Sequence, residues 1–293
     1  MTTEIYVLLF LLGAALGSFI GLVASRYDPE KWIFSPKVIG GRSICTGCRK
    51  HLRWYELIPL VSYAVQWGKC RNCHMKLSPG YWMVELAAGF ICVAVPYFLI
   101  SNKLMLASGL EGWRFTVYVF CWTLAFLALL IISLIDARLK IIPDEMNVLL
   151  FALGLVVSVL ICRQFVEMAV SFVGPYALLF GFQGSIVWNR LVGLGFAVLF
   201  FGSFVVMTKG RGMGMGDLKL MAALAFLFGW PDLLIVTMLG FILGSLAAVF
   251  MLLRGRKKMK GFMPLGPFLA LACFVVFFFG EKILAGYFSL FRG

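Results

Sequence analysis

The sequence predicts an all-α polytopic membrane protein of about eight transmembrane helices with one small cysteine-bearing cytoplasmic insert. Three observations lead there. The 293 residues are 62% hydrophobic and only 13% charged, and their mean hydropathy of +0.98 lies far above that of an average soluble domain. Apolar runs of about 20 residues, the length of one bilayer crossing, recur along the chain. The one long polar stretch contains two Cys-x-x-Cys pairs.

In order, the apolar runs place spans near 4–24, 83–101, 114–135, 146–162, 188–208, 218–230, 233–253 and 264–287. The first run, Ile5 to Ala24, has no Lys or Arg before it and basic Arg26 directly after it, so it reads as a retained span with its N-terminus outside rather than as a signal peptide. The run from Leu218 to Trp230 is short for a crossing. Phe165 to Phe182 is apolar but interrupted by Gly174-Pro175, and reads as an outer, partly interfacial loop. Without repeats or flexible linkers, the domains are a first helix at 1–25, an insert at 26–82 and a helix bundle at 83–293.

A formal charge of +13 raises nucleic acid as a partner, but membrane proteins collect cations in their inner loops. The eight-span layout puts nineteen Lys and Arg inside and six outside, with Lys219 at a span start. That asymmetry makes membrane lipid the partner, excludes nucleic acid and makes the 26–82 insert cytoplasmic.

Within the insert, Cys45-Thr-Gly-Cys48 and Cys70-Arg-Asn-Cys73 are separated by 21 residues. This spacing fits a four-thiolate tetrahedral Zn(2+) site with Cys45, Cys48, Cys70 and Cys73 as ligands. Nearby Lys50, Lys69 and Arg71 would favour thiolates and offset their charge. Two disulfides are the competing reading, disfavoured in a reducing compartment. His51 and His74, the only histidines, lie beside the pairs and either could substitute as a ligand. Cys92, Cys121, Cys162 and Cys273 fall in spans or at their ends and read as packing residues.

Carboxylates are costly inside a bilayer, so those at span ends that face one compartment need an account. Asp136 closes the third span, and Ile142-Pro143-Asp144 opens the fourth. Gly214-Met-Gly216-Asp217-Leu-Lys219 opens the sixth. Asp217 and Asp144 could each be a helix N-cap, and Asp136 could pair with Lys140 at the water interface. Asp136 gains nothing from its helix, because a C-terminus disfavours negative charge. Although 81 positions apart, Asp136 and Asp217 share one face of the bundle. Two carboxylates in a low-dielectric site titrate apart, so the ionised one can activate water while the protonated one polarises a peptide carbonyl.

These residues resemble the type IV prepilin peptidases, bifunctional leader peptidases and N-methyltransferases of pilus and type II secretion systems. Gly17-Ser-Phe19 resembles the family's opening motif. Gly41-Arg-Ser43, the four cysteines, Trp54-Tyr-Glu56-Leu-Ile-Pro59, Ser62-Tyr63 and Val84-Glu85-Leu86 are similar to its cytoplasmic region. Asp136, Ile142-Pro143-Asp144, Gly214-Met-Gly216-Asp217 with Lys219-Leu220, and Pro264-Leu-Gly266-Pro267-Phe268 follow in the family's order. Gly21 and the long stretch from Arg26-Tyr-Asp28 to Gly40 depart from the pattern.

The resemblance implies a membrane aspartyl protease of the inner membrane with Asp136 and Asp217 catalytic and Asp144 supporting. Its substrates would be type IV prepilins or pseudopilins, cut between a short basic leader and an apolar helix. The new N-terminus would be methylated from S-adenosyl-L-methionine, for which no doubly wound glycine fold is visible. Glu56 and Glu85 are candidates for leader or amine contacts. Two other readings stand beside this one: a related Gly-x-Gly-Asp intramembrane protease with other substrates, and a transporter that relays protons through the two aspartates.

Overall fold

In a computed structural model of the chain, described over residues 3–45, 47–101, 112–162, 171–181, 185–210, 213–254 and 263–290, the architecture is helical. Extended pairing among the described residues is limited to two isolated bridges, Ile44 with His51 and Lys69 with Lys76. The chain divides into two compact units, Met1–Tyr97 and Phe98–Gly293.

The first unit is built on two long apolar helices, α1 (Thr3–Arg26) and α4 (Pro79–Ser101), with the insert between them in sequence. The insert contributes two short helices, α2 (Pro36–Ile39) and α3 (Val61–Val65), and a 3₁₀ turn at Trp54–Leu57. In a membrane no hydrophobic force joins helices, so small residues that let backbones touch decide where they pack. A Cβ on Gly13 would lie 2.7 Å from the Ala88 carbonyl oxygen, and one on Gly17 would lie 2.8 Å from the Glu85 Cα. Gly17-Ser-Phe19 and Val84-Glu85-Leu86 are therefore two sides of one helix contact.

The second unit comprises α5 (Trp113–Leu139), α6 (Asp144–Cys162), a 3₁₀ turn at Gly174–Phe180, α7 (Ile186–Met207), α8 (Met215–Leu227), α9 (Asp232–Leu253) and α10 (Gly266–Ser289). α5 ends where Lys140 turns left-handed (φ 58°), its N–H closing on the Asp136 carbonyl at 2.8 Å. Pro143, which cannot continue a helix, then precedes α6. α5 packs on α6 and α10, and α9 on α10. Trp122 anchors the core, with Phe277 at 4.9 Å, Phe172 at 5.0 Å and Phe228 at 5.2 Å between ring centroids.

Every span read from the sequence is a helix, and seven are long and apolar enough to cross a membrane. The exception is α8, whose 13 residues reach about 20 Å against a hydrocarbon core of about 30 Å. α8 packs on α6 and α7. Leu220, Met221 and Leu224 are fully buried, and Gly154 of α6 lets the Phe226–Leu227 backbone approach closely. Protein rather than lipid surrounds its core.

The stretch read as an outer, partly interfacial loop is described only in part, with Leu178 and Leu179 exposed. Positions 163–170 lie outside the described residues, but Ser171, Phe172 and Val173 are buried in the second unit.

Candidate active site

The catalytic candidates sit where four segments of the second unit meet. Asp136 is in the last turn of α5, only 4% exposed. Its Oδ2 accepts a hydrogen bond of 2.7 Å from the Gly266 backbone N–H, where α10 begins. A helix N-terminus carries unpaired N–H groups and a partial positive charge, so a carboxylate is held well there. A Cβ on residue 266 would lie 2.7 Å from that same Oδ2 and 3.2 Å from the Asp136 Cβ. Only glycine leaves Asp136 its place.

Asp217 is half-buried in the first turn of α8. It is not the N-cap, because the helix starts at Met215 with Gly214 as its cap. The Asp217 Oδ2 instead accepts from the Gly214 N–H at 3.2 Å. Gly216 packs on Ile142, to which a Cβ would come within 3.3 Å, so the Gly-x-Gly-Asp turn rests on the Ile142-Pro143-Asp144 segment. Asp136 is close enough for its charge to act on Asp217. Gly212 lies outside the described residues.

Asp144, the first residue of α6, is exposed and receives Lys219 Nζ on both oxygens at 2.9 and 2.7 Å. This pair ties the start of α6 to the start of α8, two residues from Asp217. No ion pair between Asp136 and Lys140 exists among the described residues. The sequence did not mark the Gly266 N–H as a site group; its signal was the glycine in Pro264-Leu-Gly266-Pro267.

The four insert cysteines converge. Their sulfurs all lie within 4.8 Å of one another, with Cys45 and Cys73 Sγ 3.7 Å apart. Sulfurs about 2.3 Å from a tetrahedral zinc stand about 3.8 Å from each other, so the donor set fits that ion. The two halves have the same turn. Cys45 N–H reaches the Lys50 carbonyl and Arg49 N–H the Cys45 carbonyl; Cys70 N–H reaches the Met75 carbonyl and His74 N–H the Cys70 carbonyl. Arg49 (φ 55°) and His74 (φ 56°) occupy the equivalent left-handed position, which gives His74 a backbone role.

The Lys50 backbone N–H and the Asn72 side chain lower the Cys48 thiol to about 6. The N–H groups of Cys73 and Asn72 also lower Cys70. At Cys73 the Met75 N–H acts downward, but desolvation and the facing thiols carry it up to about 11. Cys92, Cys121 and Cys273 are buried without disulfides, as packing residues should be.

Glu56 and Glu85 are engaged inside the first unit. Glu56 accepts from the Arg53 N–H at 2.8 Å, and Glu85 from the Leu60 N–H at 2.8 Å, where Leu60 has a φ of 62°. Both carboxylates shape the insert.

A second buried polar group was missed. Asp232, 1% exposed at the start of α9, accepts from Ser171 Oγ at 2.7 Å, Phe172 N–H at 3.1 Å and Val173 N–H at 3.3 Å. Arg190 is 5% exposed, packed against Gly229 and within electrostatic reach of Asp232.

A multi-pass helical membrane protein with converging aspartates on two helices and a four-cysteine insert defines the class. The chain belongs to the type IV leader peptidase family. The family model of that description matches residues 122–249, and the bacterial peptidase A24 N-terminal domain matches 11–99. Among relatives named prepilin leader peptidase/N-methyltransferase, that of Burkholderia pseudomallei (strain 1026b) is 30% identical over 92% of this chain and 84% of its own. That of Stutzerimonas stutzeri is 29% identical over 96% and 93%, and that of Aeromonas hydrophila 28% over 97% and 94%. No solved structure matches the chain.

Proposed function

We propose that the protein cleaves the basic leader from type IV prepilins or pseudopilins at the cytoplasmic face of the inner membrane, with Asp136 and Asp217 as the catalytic pair, and N-methylates the new terminus. The observation that carries the reading is the convergence of these aspartates, each held by a backbone N–H, from positions 81 apart. With Gly266 on Oδ2, the second oxygen of Asp136 is left for water. In an aspartyl mechanism the water oxygen attacks the scissile carbonyl carbon and its proton passes to the ionised carboxylate. The protonated partner gives its proton to the carbonyl oxygen, and collapse breaks the C–N bond as the amine takes a proton.

The methyl donor this activity requires is S-adenosylmethionine. Isolated bridges are the only strand pairing among the described residues, so a doubly wound nucleotide fold is not its site here. The cysteine set fits zinc as a structural ion closing the insert, without a place in the cleavage step. The charge asymmetry supports an outside N-terminus and a cytoplasmic insert.

Incubating the detergent-solubilised protein with a prepilin tests the reading. Asp136→Asn and Asp217→Asn should each lower cleavage by roughly 10²–10⁴-fold, and a methyl-sized mass gain should need added S-adenosylmethionine. Full cleavage by either variant would remove the assignment. Loss of cleavage in both also separates this reading from a Gly-x-Gly-Asp protease of other substrates only when prepilin is the peptide cut.

A further inference from the structure

The segment from Trp54 to Trp67 is turned inside out for a soluble surface. Its fourteen residues carry one charge, Glu56, and that carboxylate is occupied by the Arg53 N–H. Tyr63 of α3 is half-buried and stacks on Trp82 at 6.3 Å, while Val61 and Val65, one helical turn apart, are 55% and 58% exposed. Leu57 is 40% exposed, and the two tryptophans that bracket the segment are 78% (Trp54) and 88% (Trp67) exposed. So many exposed apolar side chains in one short segment mark an interaction surface.

Two ties fix its level. The Leu60 N–H bonds Glu85 and Tyr63 stacks on Trp82, and both partners lie in the first two turns of the apolar span α4. The start of a span is the depth of the headgroup layer, where tryptophan rings are favoured. Exposed cations flank the face: Arg53 precedes it, Lys69 and Arg71 follow it. The 26–82 insert carries ten Lys and Arg against Asp28, Glu30 and Glu56. Apolar side chains bounded by tryptophans and then by cations match an anionic bilayer surface in both polarity and charge.

We infer that residues 54–67 form an interfacial foot that lies on the anionic lipid surface, with Trp54 and Trp67 seated among the headgroups. The inference is independent of the catalytic assignment.

The test is amide exchange of the full chain in nanodiscs of phosphatidylcholine alone or mixed with phosphatidylglycerol. Amides of 54–67 should exchange roughly tenfold more slowly in the mixed discs, since a few basic side chains near an anionic surface supply that much attraction. High salt should remove most of the difference. Trp54→Ser with Trp67→Ser should abolish it while exchange at 43–52 stays unchanged, which shows the insert still folded. Equal exchange in both discs would overturn the inference. So would protection that arises only when prepilin is added, because the face would then be a protein-docking surface.

Discussion

The Gly266 N–H donates to Asp136 Oδ2 at 2.7 Å, joining residues 130 positions apart at the meeting point of α5 and α10. This bond makes Gly266→Ala a sharp substitution. Alanine keeps the N–H donor but sets a Cβ within 2.7 Å of the carboxylate oxygen, so Asp136 must move. A displacement near 1 Å in a reacting group costs on the order of 10²-fold in rate. Gly266→Ala should therefore lose about that factor in kcat/KM for prepilin cleavage, with melting lowered by several degrees because overpacking a buried contact costs about 1–3 kcal/mol.

The Asp144–Lys219 pair predicts the opposite profile. Its side chains are 66% and 47% exposed, and an exposed ion pair contributes about 0–1 kcal/mol. Asp144→Asn should lower the melting temperature by only a few degrees and retain most cleavage, whereas Asp217→Asn should lose roughly 10²–10⁴-fold. Side-by-side cleavage assays check this. Equal losses in the two variants would give Asp144 a place in the chemistry.

The contrast between these aspartates shows what the sequence could and could not convey. Long apolar runs mark helices plainly, so each span was legible. The two Cys-x-x-Cys pairs carry their spacing openly, and the shared turn with Arg49 and His74 left-handed is a consequence of it. Gly266 was not legible as the holder of Asp136, since a backbone N–H has no sequence signature and the contact is made only in three dimensions. α8 could be suspected from its length, but its burial depends on α6 and α7. Arg190 and Asp232 look like ordinary loop-end charges until Ser171, Phe172 and Val173 fold in over them.

Metal content follows from the thiols. Zinc takes thiolates, so binding releases protons and weakens as pH falls. With Cys48 at about 6 and Cys73 at about 11, the free site is only partly ionised at neutral pH, and affinity should rise as pH increases. From neutral pH into acid, protons compete with the ion for each thiolate, and zinc should be lost progressively as pH falls. Metal analysis of protein equilibrated across that range should give one zinc per chain at neutral pH and a decline in acid. Cys45→Ser, which removes a buried thiol of the proposed zinc site, should lose the ion at all pH values and loosen the insert. On the proposed structural role of the ion, chelation should leave Asp136 and Asp217 competent toward a short peptide.

Asp232 should govern stability without touching catalysis. Its carboxylate satisfies Ser171 Oγ and the N–H groups of Phe172 and Val173, and it faces the charge of buried Arg190. Asp232→Ala strands those buried donors, each at a cost of about 1–3 kcal/mol, and removes the negative charge that acts on buried Arg190. The core above it also suffers, because Phe172 packs on Trp122 at 5.0 Å and on Phe277 at 4.6 Å. The variant should melt many degrees lower, yet its folded fraction at low temperature should cleave prepilin at the parental rate per active site. Adding Arg190→Met should recover part of the loss, since removing both charges is less harmful than removing one. A variant that melts normally but cleaves slowly would instead place Asp232 in communication with the catalytic pair.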